Sequence, residues 1–342
     1  TLVDPGIMWE TKTTANGAIE LGLFRDKLRF TAEYFKNTNK DLLAGIPIPL
    51  SIGSFPWEVT TNAASMQNTG FEFSIGYRGE SKDFTYDISL NGNTLKNKLT
   101  SLGLNGVPIY GNVSKSEPGR SIGDMYGHTM IDIFQSTEEI QKSPTQPNAA
   151  PGDVKFQDTD GNGIINDEDR VYLGSTIPNL YYGMNVNLGY KQFDFSMFWQ
   201  GSAGNKVYNA VYAALMGGQY SNHHVDALNY WTPSNTNTNI PRPVIGDPNA
   251  NGRGSNRFVE NGSYVRLQNI QIGYTLKPMA GLKWLNNARF YISGQNVITL
   301  TSYKGLDPDF TGVGNDGLFS RGFDQGSFPN PRGFLVGAQI GL

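Results

Sequence analysis

The clearest chemical pattern in the sequence is a run of oxygen-bearing side chains between residues 158 and 169. The run has the spacing of an EF-hand loop, in which alternate oxygen atoms surround a hard cation and a glycine allows a sharp turn. The sequence therefore predicts a Ca²⁺ site in this loop. Its predicted ligands, with their positions in the loop, are Asp158 (one), Asp160 (three), Asn162 (five), Ile164 (seven, through its carbonyl) and Asp169 (twelve).

The predicted ligand at position twelve, Asp169, is shorter than the usual glutamate. This difference could lower the coordination number or let the smaller Mg²⁺ ion compete. The loop follows Pro151-Gly152 and has no helical pattern on either side, so the paired helices of a calcium sensor are not expected. One interpretation is a structural ion that braces the surrounding segment, and the alternative is an Asp/Asn/Gly turn without an ion.

The rest of the sequence offers little further chemistry. It has 342 residues and no cysteine, which excludes disulfides, thiolate catalysis and cysteine-based metal sites. His223 and His224 are adjacent, so their side chains point apart, and we expect an ordinary pair of loop residues. No common catalytic or phosphate-binding motif occurs, and we expect that the protein is not an enzyme. A formal net charge of -3 gives no field that would attract nucleic acid.

The elements that position the 158–169 loop are predicted to be β-strands, because apolar residues recur at every second position. Apolar side chains occupy every second position from Phe71 to Tyr77, and the intervening residues are polar, charged or glycine. The same alternation recurs around residues 28–34, 84–90, 182–190, 193–199, 270–276 and 334–342. No apolar run approaches the ~20 residues of a membrane helix, but alternating strands suit a membrane barrel. Aromatic residues expected at strand ends, as in an interfacial girdle, are Tyr77, Tyr190, Trp199 and Tyr274.

The connections between these strands alternate in length. Tight turns are predicted at 25–27, 79–82 and 191–192, and long Gly/Pro/Asn-rich stretches at 38–69, 93–179, 201–262 and 298–332. Outer-membrane barrels have short periplasmic turns and long extracellular loops. We count about nine strands, and because bacterial barrels normally have an even number, we expect part of a larger antiparallel up-and-down transmembrane β-barrel. The 93–179 stretch would be a long extracellular loop that contains the 158–169 site.

A different class of protein also fits the alternation. In a soluble β-sandwich the apolar face of each strand lies in a core instead of against lipid. The corresponding function would be a secreted, Ca²⁺-braced, glycan-binding module. Within the 201–262 stretch, apolar residues at helical spacing between Lys206 and Met216 predict a short helix.

Several segments resemble the SusC/RagA group of TonB-linked outer-membrane transporters. They occur in the order of that group and span nearly the whole chain. The segments are Met8-Trp9-Glu10, Met66 to Glu72, the acidic loop running on into Asp169-Arg170, Phe198 to Ser202, Asn229 to Pro233, Ser263 to Asn269, and Gln295-Asn296 leading to Gly305 to Pro308.

The resemblance implies that residues 1–342 form the C-terminal part of a TonB-dependent transporter barrel of about 22 strands in the outer membrane of a Gram-negative bacterium. It implies active import of oligosaccharides or peptides together with a SusD-like surface lipoprotein. TonB would act through a plug region that is absent from this sequence. The other expected partners are the remainder of the same barrel and membrane lipid.

Overall fold

The computed structural model describes residues 4–48, 50–53, 55, 58–102, 106–217, 222–276, 285, 287–310 and 317–341. Most regular structure in these ranges is β-strand. The strands are β1 Thr11–Leu23, β2 Leu28–Pro47, β3 Glu58–Ser81, β4 Phe84–Thr94, β5 Lys96–Leu102, β6 Ile109–Tyr110, β7 Ser114–Ser116, β8 Asp124–Gly127, β9 Met130–Ile133, β10 Val154–Phe156, β11 Val171–Gly174, β12 Leu180–Tyr190, β13 Phe193–Ala203, β14 Lys206–Asn209, β15 Val259–Asn261, β16 Tyr264–Leu276, β17 Asn287–Thr301, β18 Phe323–Asp324 and β19 Gly333–Gly341. The α-helices are α1 Thr137–Gln141 and α2 Ala210–Gly217.

Nine long strands form one antiparallel sheet, which we call the wall. Its order is β1-β2-β3-β4-β12-β13-β16-β17-β19, and β5 pairs with β3 beside this path. The expected count of about nine strands is thereby confirmed, as is the antiparallel up-and-down topology. The wall is open, with β1 and β19 at its two edges. The predicted last strand ends at Gly341, and residue 342 lies outside the described ranges.

The apolar face of the wall is exposed. The side chains of Phe71, Phe73, Ile75 and Tyr77 are 58, 41, 40 and 46% exposed, although they alternate with polar neighbours on one strand. In a soluble sandwich these rows would be buried against a second sheet. The structure therefore does not show the arrangement that the sandwich interpretation requires, and lipid is the solvent that such a face suits.

Aromatic side chains line the end of the wall that carries the short turns. Consecutive strands place them directly opposite one another in register, on the same face. The row consists of Phe84, Tyr190, Phe193, Tyr274 and Phe290. Tyr190 and Tyr274 therefore stand where an interfacial girdle was predicted. Tyr77 and Trp199 do not lie at strand ends, because β3 continues for four residues beyond Tyr77, to Ser81, and β13 continues for four residues beyond Trp199, to Ala203.

Two predicted boundaries are wrong. Residues 38–69 are mostly strand, since the pairing of β2 with β3 continues to the pair Pro47 and Glu58. The extension carries few alternating apolar side chains, so its sequence lacks the membrane-strand signal although the backbone ladder persists. The helix predicted from Lys206 begins only at Ala210, because residues 206–209 pair with β15 and β18 instead.

The long connections fold into small sheets with their own cores. Strands β6, β7, β8 and β11 form a four-stranded sheet, here called the loop sheet, and β9 pairs with β10. The connection between β13 and β16 contributes β14 and β15, and β14 also pairs with β18 from the connection between β17 and β19. Buried Met125, Tyr208 and Phe258 pack together where these parts meet. None of the helices in the described ranges is long and apolar enough to cross a membrane.

Candidate functional site

Three of the predicted metal ligands come together in the 158–169 loop. Single carboxylate oxygens of Asp158, Asp160 and Asp169 all lie within 4.8 Å of one another. Asp169 is fully buried, whereas Asp160 is exposed. A short 3-10 turn at Asp167–Asp169 brings the last carboxylate back toward the first two. The loop lies between β10 and β11, and the expectation that helices do not flank it is confirmed.

The backbone of the loop wraps around the first of these carboxylates. Asp158 accepts hydrogen bonds from the N–H of Gly161 through Oδ1 at 2.8 Å and from the N–H of Gly163 through Oδ2 at 2.9 Å. Both glycines have positive φ, 76° and 81°, a conformation that side chains with a Cβ rarely adopt. Desolvation would raise the pKa of Asp158, but these backbone donors outweigh it and hold the pKa below its ordinary value. The carboxylate is therefore ionised at neutral pH.

Asp169 closes the loop from the other end. Its Oδ1 accepts from the N–H of Thr159 at 2.7 Å, and its Oδ2 accepts from the N–H of Asn166 at 2.8 Å. The Asn166 side chain in turn accepts from the N–H of Glu168, which completes a capping box. Each Asp169 oxygen thus keeps a second lone pair for another interaction.

The remaining two predicted ligands, Asn162 and Ile164, lie on the exposed side of the loop. Asn162 donates from Nδ2 to Asp160 at 2.9 Å and accepts on Oδ1 from the N–H of Ile164 at 2.8 Å. Ile164 forms a parallel bridge with Thr145 through the backbone groups of Gly163 and Ile165. That bridge leaves the Ile164 carbonyl unused. The three clustered carboxylates carry oxygen donors of the kind that suits a hard cation such as Ca²⁺, whereas the amide oxygen of Asn162 already accepts from the N–H of Ile164.

The loop is fastened to the rest of the connection at two further points. Ile165 is 4% exposed and packs against Val154 and Phe156 in a small core. The ring Nε2 of His128 lies 2.9 Å from the Asn166 carbonyl and donates to it. Burial lowers the pKa of His128, so the ring is neutral at pH 7 and carries the proton on Nε2. Val154 and Phe156 belong to β10, and His128 lies between β8 and β9, so these contacts connect the loop to both neighbouring sheets.

The histidine pair forms only local hydrogen bonds. The Nδ1 of His223 lies 3.2 Å from the Leu215 carbonyl, and the Nδ1 of His224 accepts from the N–H of Asp226 at 3.1 Å. Both contacts are those of ordinary loop residues, as expected.

The polar face of the wall carries an open cavity of about 490 Å³. Glu33 and Glu72 face each other across β2 and β3, and Asn93 donates to Glu72 at 2.8 Å. Tyr181 and Phe198 border the same space. This combination of amide, carboxylate and aromatic groups can contact a polar solute on the face opposite the apolar rows.

Sequence reasoning missed a buried cation that holds a long connection to the wall. Arg266 is 2% exposed and donates to Thr299 at 3.0 Å, to Asp309 at 3.0 Å and to Asp307. Burial would raise the pKa of Asp307, but backbone N–H donors from Asp309 and Asn330, together with Arg266, hold it below its ordinary value. Arg266 and Asp307 lie in two of the segments that resemble the SusC/RagA group, which is the signal that could have identified them.

The comparisons with known proteins agree with this architecture. No protein-family model matches the chain. TonB-dependent receptor P3 of Formosa agariphila is 33% identical over 98% of this chain and 34% of that protein. The TonB-dependent receptor SusC of Bacteroides thetaiotaomicron is 25% identical over 98% of this chain and 32% of its own length. The solved RagAB peptide transporter superposes with a TM-score of 0.81 at 22% identity, over 98% of this chain and 36% of that chain.

The chain thus spans about a third of the length of the curated relatives it matches. Those relatives are receptors and transporters, which confirms the expectation that the chain is not an enzyme, and the structural match confirms the barrel-type fold class. Nearly the whole chain is homologous to a part of the SusC-type TonB-dependent receptors, which confirms the resemblance to the SusC/RagA group and the location in the Gram-negative outer membrane.

Proposed function

We propose that the protein imports a polymeric nutrient across the outer membrane by TonB-dependent active transport, and that this chain supplies part of the barrel wall. The observation that carries the proposal is the two-faced wall, with apolar rows exposed on one face and a polar cavity on the other. A wall of this kind can contact hydrocarbon outside and enclose a polar passage inside. The relatives support the coupling to TonB, since they are TonB-dependent receptors.

The partner we propose is a SusD-like surface lipoprotein that closes over the barrel. SusC is one of the relatives, and the matched solved structure is a two-component peptide transporter, RagAB. The cargo we propose is an oligosaccharide or a peptide. The long connections, which fold into sheets of their own at the end of the wall opposite the short turns, would meet both the cargo and the lipoprotein.

Spin labels on one strand of the wall test which face meets lipid. The chain contains no cysteine, so a single cysteine can be introduced at each position from 71 to 77 once any cysteines elsewhere in the protein are replaced. In liposomes we expect oxygen accessibility to peak at positions 71, 73, 75 and 77. Positions 72 and 74 should instead respond to a water-soluble relaxation agent. Uniform shielding at all seven positions would contradict the barrel.

Uptake experiments test the transport activity. Labelled peptide and labelled oligosaccharide pools are offered to cells that carry the gene, to cells that lack it, and to cells that lack TonB. We expect one pool to enter only when both the gene and TonB are present. Uptake that persists without TonB would contradict active import by this protein.

We also propose that the 158–169 loop binds Ca²⁺ as a structural brace. Support comes from the clustered carboxylates and from the backbone donors that orient them. An ion present at 100 times its dissociation constant stabilises the folded state by ~2.7 kcal/mol. Asp158→Ala and Asp160→Ala should therefore lower the melting temperature more when Ca²⁺ is present than when it is absent, where only the hydrogen bonds that each carboxylate accepts within the loop are lost. Asp167→Ala is the matched control, because this exposed acid lies in the same loop but not at a ligand position.

An equal rise in the melting temperatures of the Asp158→Ala variant and the parent across a Ca²⁺ titration would contradict the site. A parallel titration with Mg²⁺ identifies the preferred ion. The larger ion is expected to bind more tightly, because a loop of flexible oxygen donors does not impose the compact octahedron that Mg²⁺ demands.

A further inference from the structure

Three tyrosine rings stand in a row on one face of the loop sheet. The centroids of Tyr110 and Tyr126 are 6.0 Å apart, and those of Tyr126 and Tyr172 are 5.2 Å apart. The register explains the row, since Tyr126 and Tyr172 are directly paired across β8 and β11. Tyr110 is 53% exposed, and the other two rings are half-buried. The three tyrosine rings are thus partly accessible to solvent along one face of the loop sheet.

Three cations are interleaved with these rings. Lys115 Nζ lies 5.0 Å from the centre of the Tyr126 ring, and the Arg120 guanidinium lies 3.6 Å from the centre of the Tyr172 ring. The Arg170 guanidinium lies 5.6 Å from the Tyr126 ring. We call the three tyrosines and these three cations the tyrosine–cation row.

Three acids lie beside the three cations, namely Glu117, Asp167 and the largely buried Asp124. Glu117 accepts from Lys115 at 2.8 Å and lies 3.6 Å from Arg120, so one carboxylate serves two cations. The Lys115 ammonium holds the pKa of Glu117 below its usual range, so this acid stays ionised. Arg170 pairs with Asp167, whose side chain is 82% exposed, and such exposed pairs contribute little. The row therefore keeps cationic donors that a second anion can engage.

We propose that the tyrosine–cation row binds an anionic oligosaccharide, one whose sugar rings carry carboxylate or sulfate groups. The inference deepens the proposed transport function and rests on it, because it assigns a chemical class to the cargo. Three tyrosine rings in a row, tilted by 57° and 58° from one ring to the next, can contact the apolar faces of successive sugar rings. A guanidinium fork matches the paired oxygens of a carboxylate or sulfate.

The arrangement favours a sugar over an acidic peptide. A peptide strand is usually recognised by backbone pairing at a sheet edge. The tyrosine–cation row instead lies on a sheet face and spans all four strands of the loop sheet, with tyrosines on β6, β8 and β11 and with Lys115 on β7, between β6 and β8. A ligand that lies across strands on a face gains stacking and charge contacts but no backbone ladder, which suits a chain of substituted rings.

The row also has a covalent link to the proposed Ca²⁺ loop. Arg170 directly follows Asp169, and Tyr172 lies two residues further along β11. The conformation of the loop end thus sets where one guanidinium and one ring of the row lie.

Binding is tested by calorimetry on the detergent-purified protein. The probes are tetragalacturonate, a sulfated galactan tetrasaccharide, neutral maltotetraose and tetraglutamate. We expect at least one of the two anionic sugars to bind at least 10-fold more tightly than maltotetraose and tetraglutamate, with affinity that falls as salt rises. Comparison of the two sugars distinguishes carboxylate from sulfate as the recognised group.

Substitutions in the tyrosine–cation row then test whether the sugar binds there. Tyr110→Leu should weaken the favoured sugar about 3- to 10-fold, through lost stacking. Arg120→Gln should weaken it about 10-fold or more, through a lost charge-assisted hydrogen bond. The matched controls are Tyr230→Leu and Lys304→Gln, since both side chains are exposed residues of other connections. We expect wild-type affinity from both controls.

Three outcomes would overturn the inference: no binding of either anionic sugar, preferred binding of tetraglutamate, or unchanged affinity in both row variants. A melting curve for each variant shows whether it is folded, and two variants in different segments of the connection keep the test decisive if one is not. The measurement needs neither TonB nor transport. A failure here, with uptake intact, would therefore refute the ligand class and leave the import function standing.

Discussion

The carboxyl of Asp124 in the loop sheet provides a quantitative test of the structure. Asp124 is 7% exposed, and burial raises its pKa from 3.8 to about 6, although Ser175 and the Arg120 guanidinium favour the charged form. Its Oδ1 is buried and lacks a hydrogen-bond partner among the described residues. We predict that Asp124→Asn stabilises the loop sheet at pH 8, because it removes a charge that folding must desolvate.

The direction of the pH dependence follows from the raised pKa. The folded state binds the Asp124 proton more tightly than the unfolded state, so protonation adds stability as the pH falls from about 6 toward 3.8. This contribution to the free energy of unfolding reaches its full size below about pH 4 and is lost as the pH rises through 6. At ~1.4 kcal/mol for each tenfold change in proton affinity, the full difference is about 3 kcal/mol, of which about 2 kcal/mol develops between pH 8 and pH 4.5.

Hydrogen exchange measured by mass spectrometry provides the assay. For peptides that cover β7 and β8, the ratio of exchange rates between the parent and Asp124→Asn is taken at each pH, so that the intrinsic pH dependence of exchange cancels. As the pH falls from 8 to 4.5, we expect the protection from exchange in the variant to decrease about 30-fold relative to the parent, which corresponds to about 2 kcal/mol. The introduced amide does not titrate, so any change that it makes in the free energy of unfolding is the same at both pH values.

The control is Asp132→Asn, which changes an exposed carboxylate in the neighbouring strand β9. Its ratio should stay constant over the same pH range. A constant ratio for Asp124→Asn would refute the reasoning, because it would mean that the Asp124 carboxyl is as well solvated in the folded protein as in the unfolded chain.

Three further substitutions test the contacts that hold the connections in place. Arg266→Met should destabilise the protein by about 3 kcal/mol, because it strands the buried Asp307, and a melting temperature equal to that of the parent would contradict this role. Arg242→Met should have a similar effect, since Arg242 donates at 3.0 and 3.1 Å to the fully buried Asp153, and limited proteolysis should cut the affected connections faster. Gly70→Ala should cost about 1–3 kcal/mol by pushing a Cβ into the carbonyl of the adjacent strand, and an unchanged yield of folded barrel would contradict it.

Much of the wall could be predicted from local sequence. A strand that lies between lipid and a polar passage must alternate apolar and polar residues, so the segment from Phe71 to Tyr77 reveals both its conformation and its two faces. The signal fails where a strand leaves the membrane, because its outward side chains no longer need to be apolar. That is why the outer parts of β2 and β3 were expected to be loop.

The clustering of carboxylates in the 158–169 loop could also be predicted from the sequence, because the candidate ligands come from twelve consecutive residues. Backbone N–H groups of Gly161 and Gly163 orient Asp158 without help from distant segments. The contacts that hold the loop to other segments could not be predicted from the sequence. His128 and Thr145 reach it from other parts of the chain, and nothing in local spacing indicates such contacts.

The sequence by itself determined the alternating strands, the short turns between them and the order of oxygen donors in the 158–169 loop, because each depends on residues close together in the chain. Only the tertiary structure decided that β4 pairs with β12, that Arg266 meets Asp307 and that three tyrosines form one row. Those contacts join residues separated by tens of positions. Their formation depends on how distant strands pair in the sheet and on which polar groups are buried together, and neither is encoded in a local pattern.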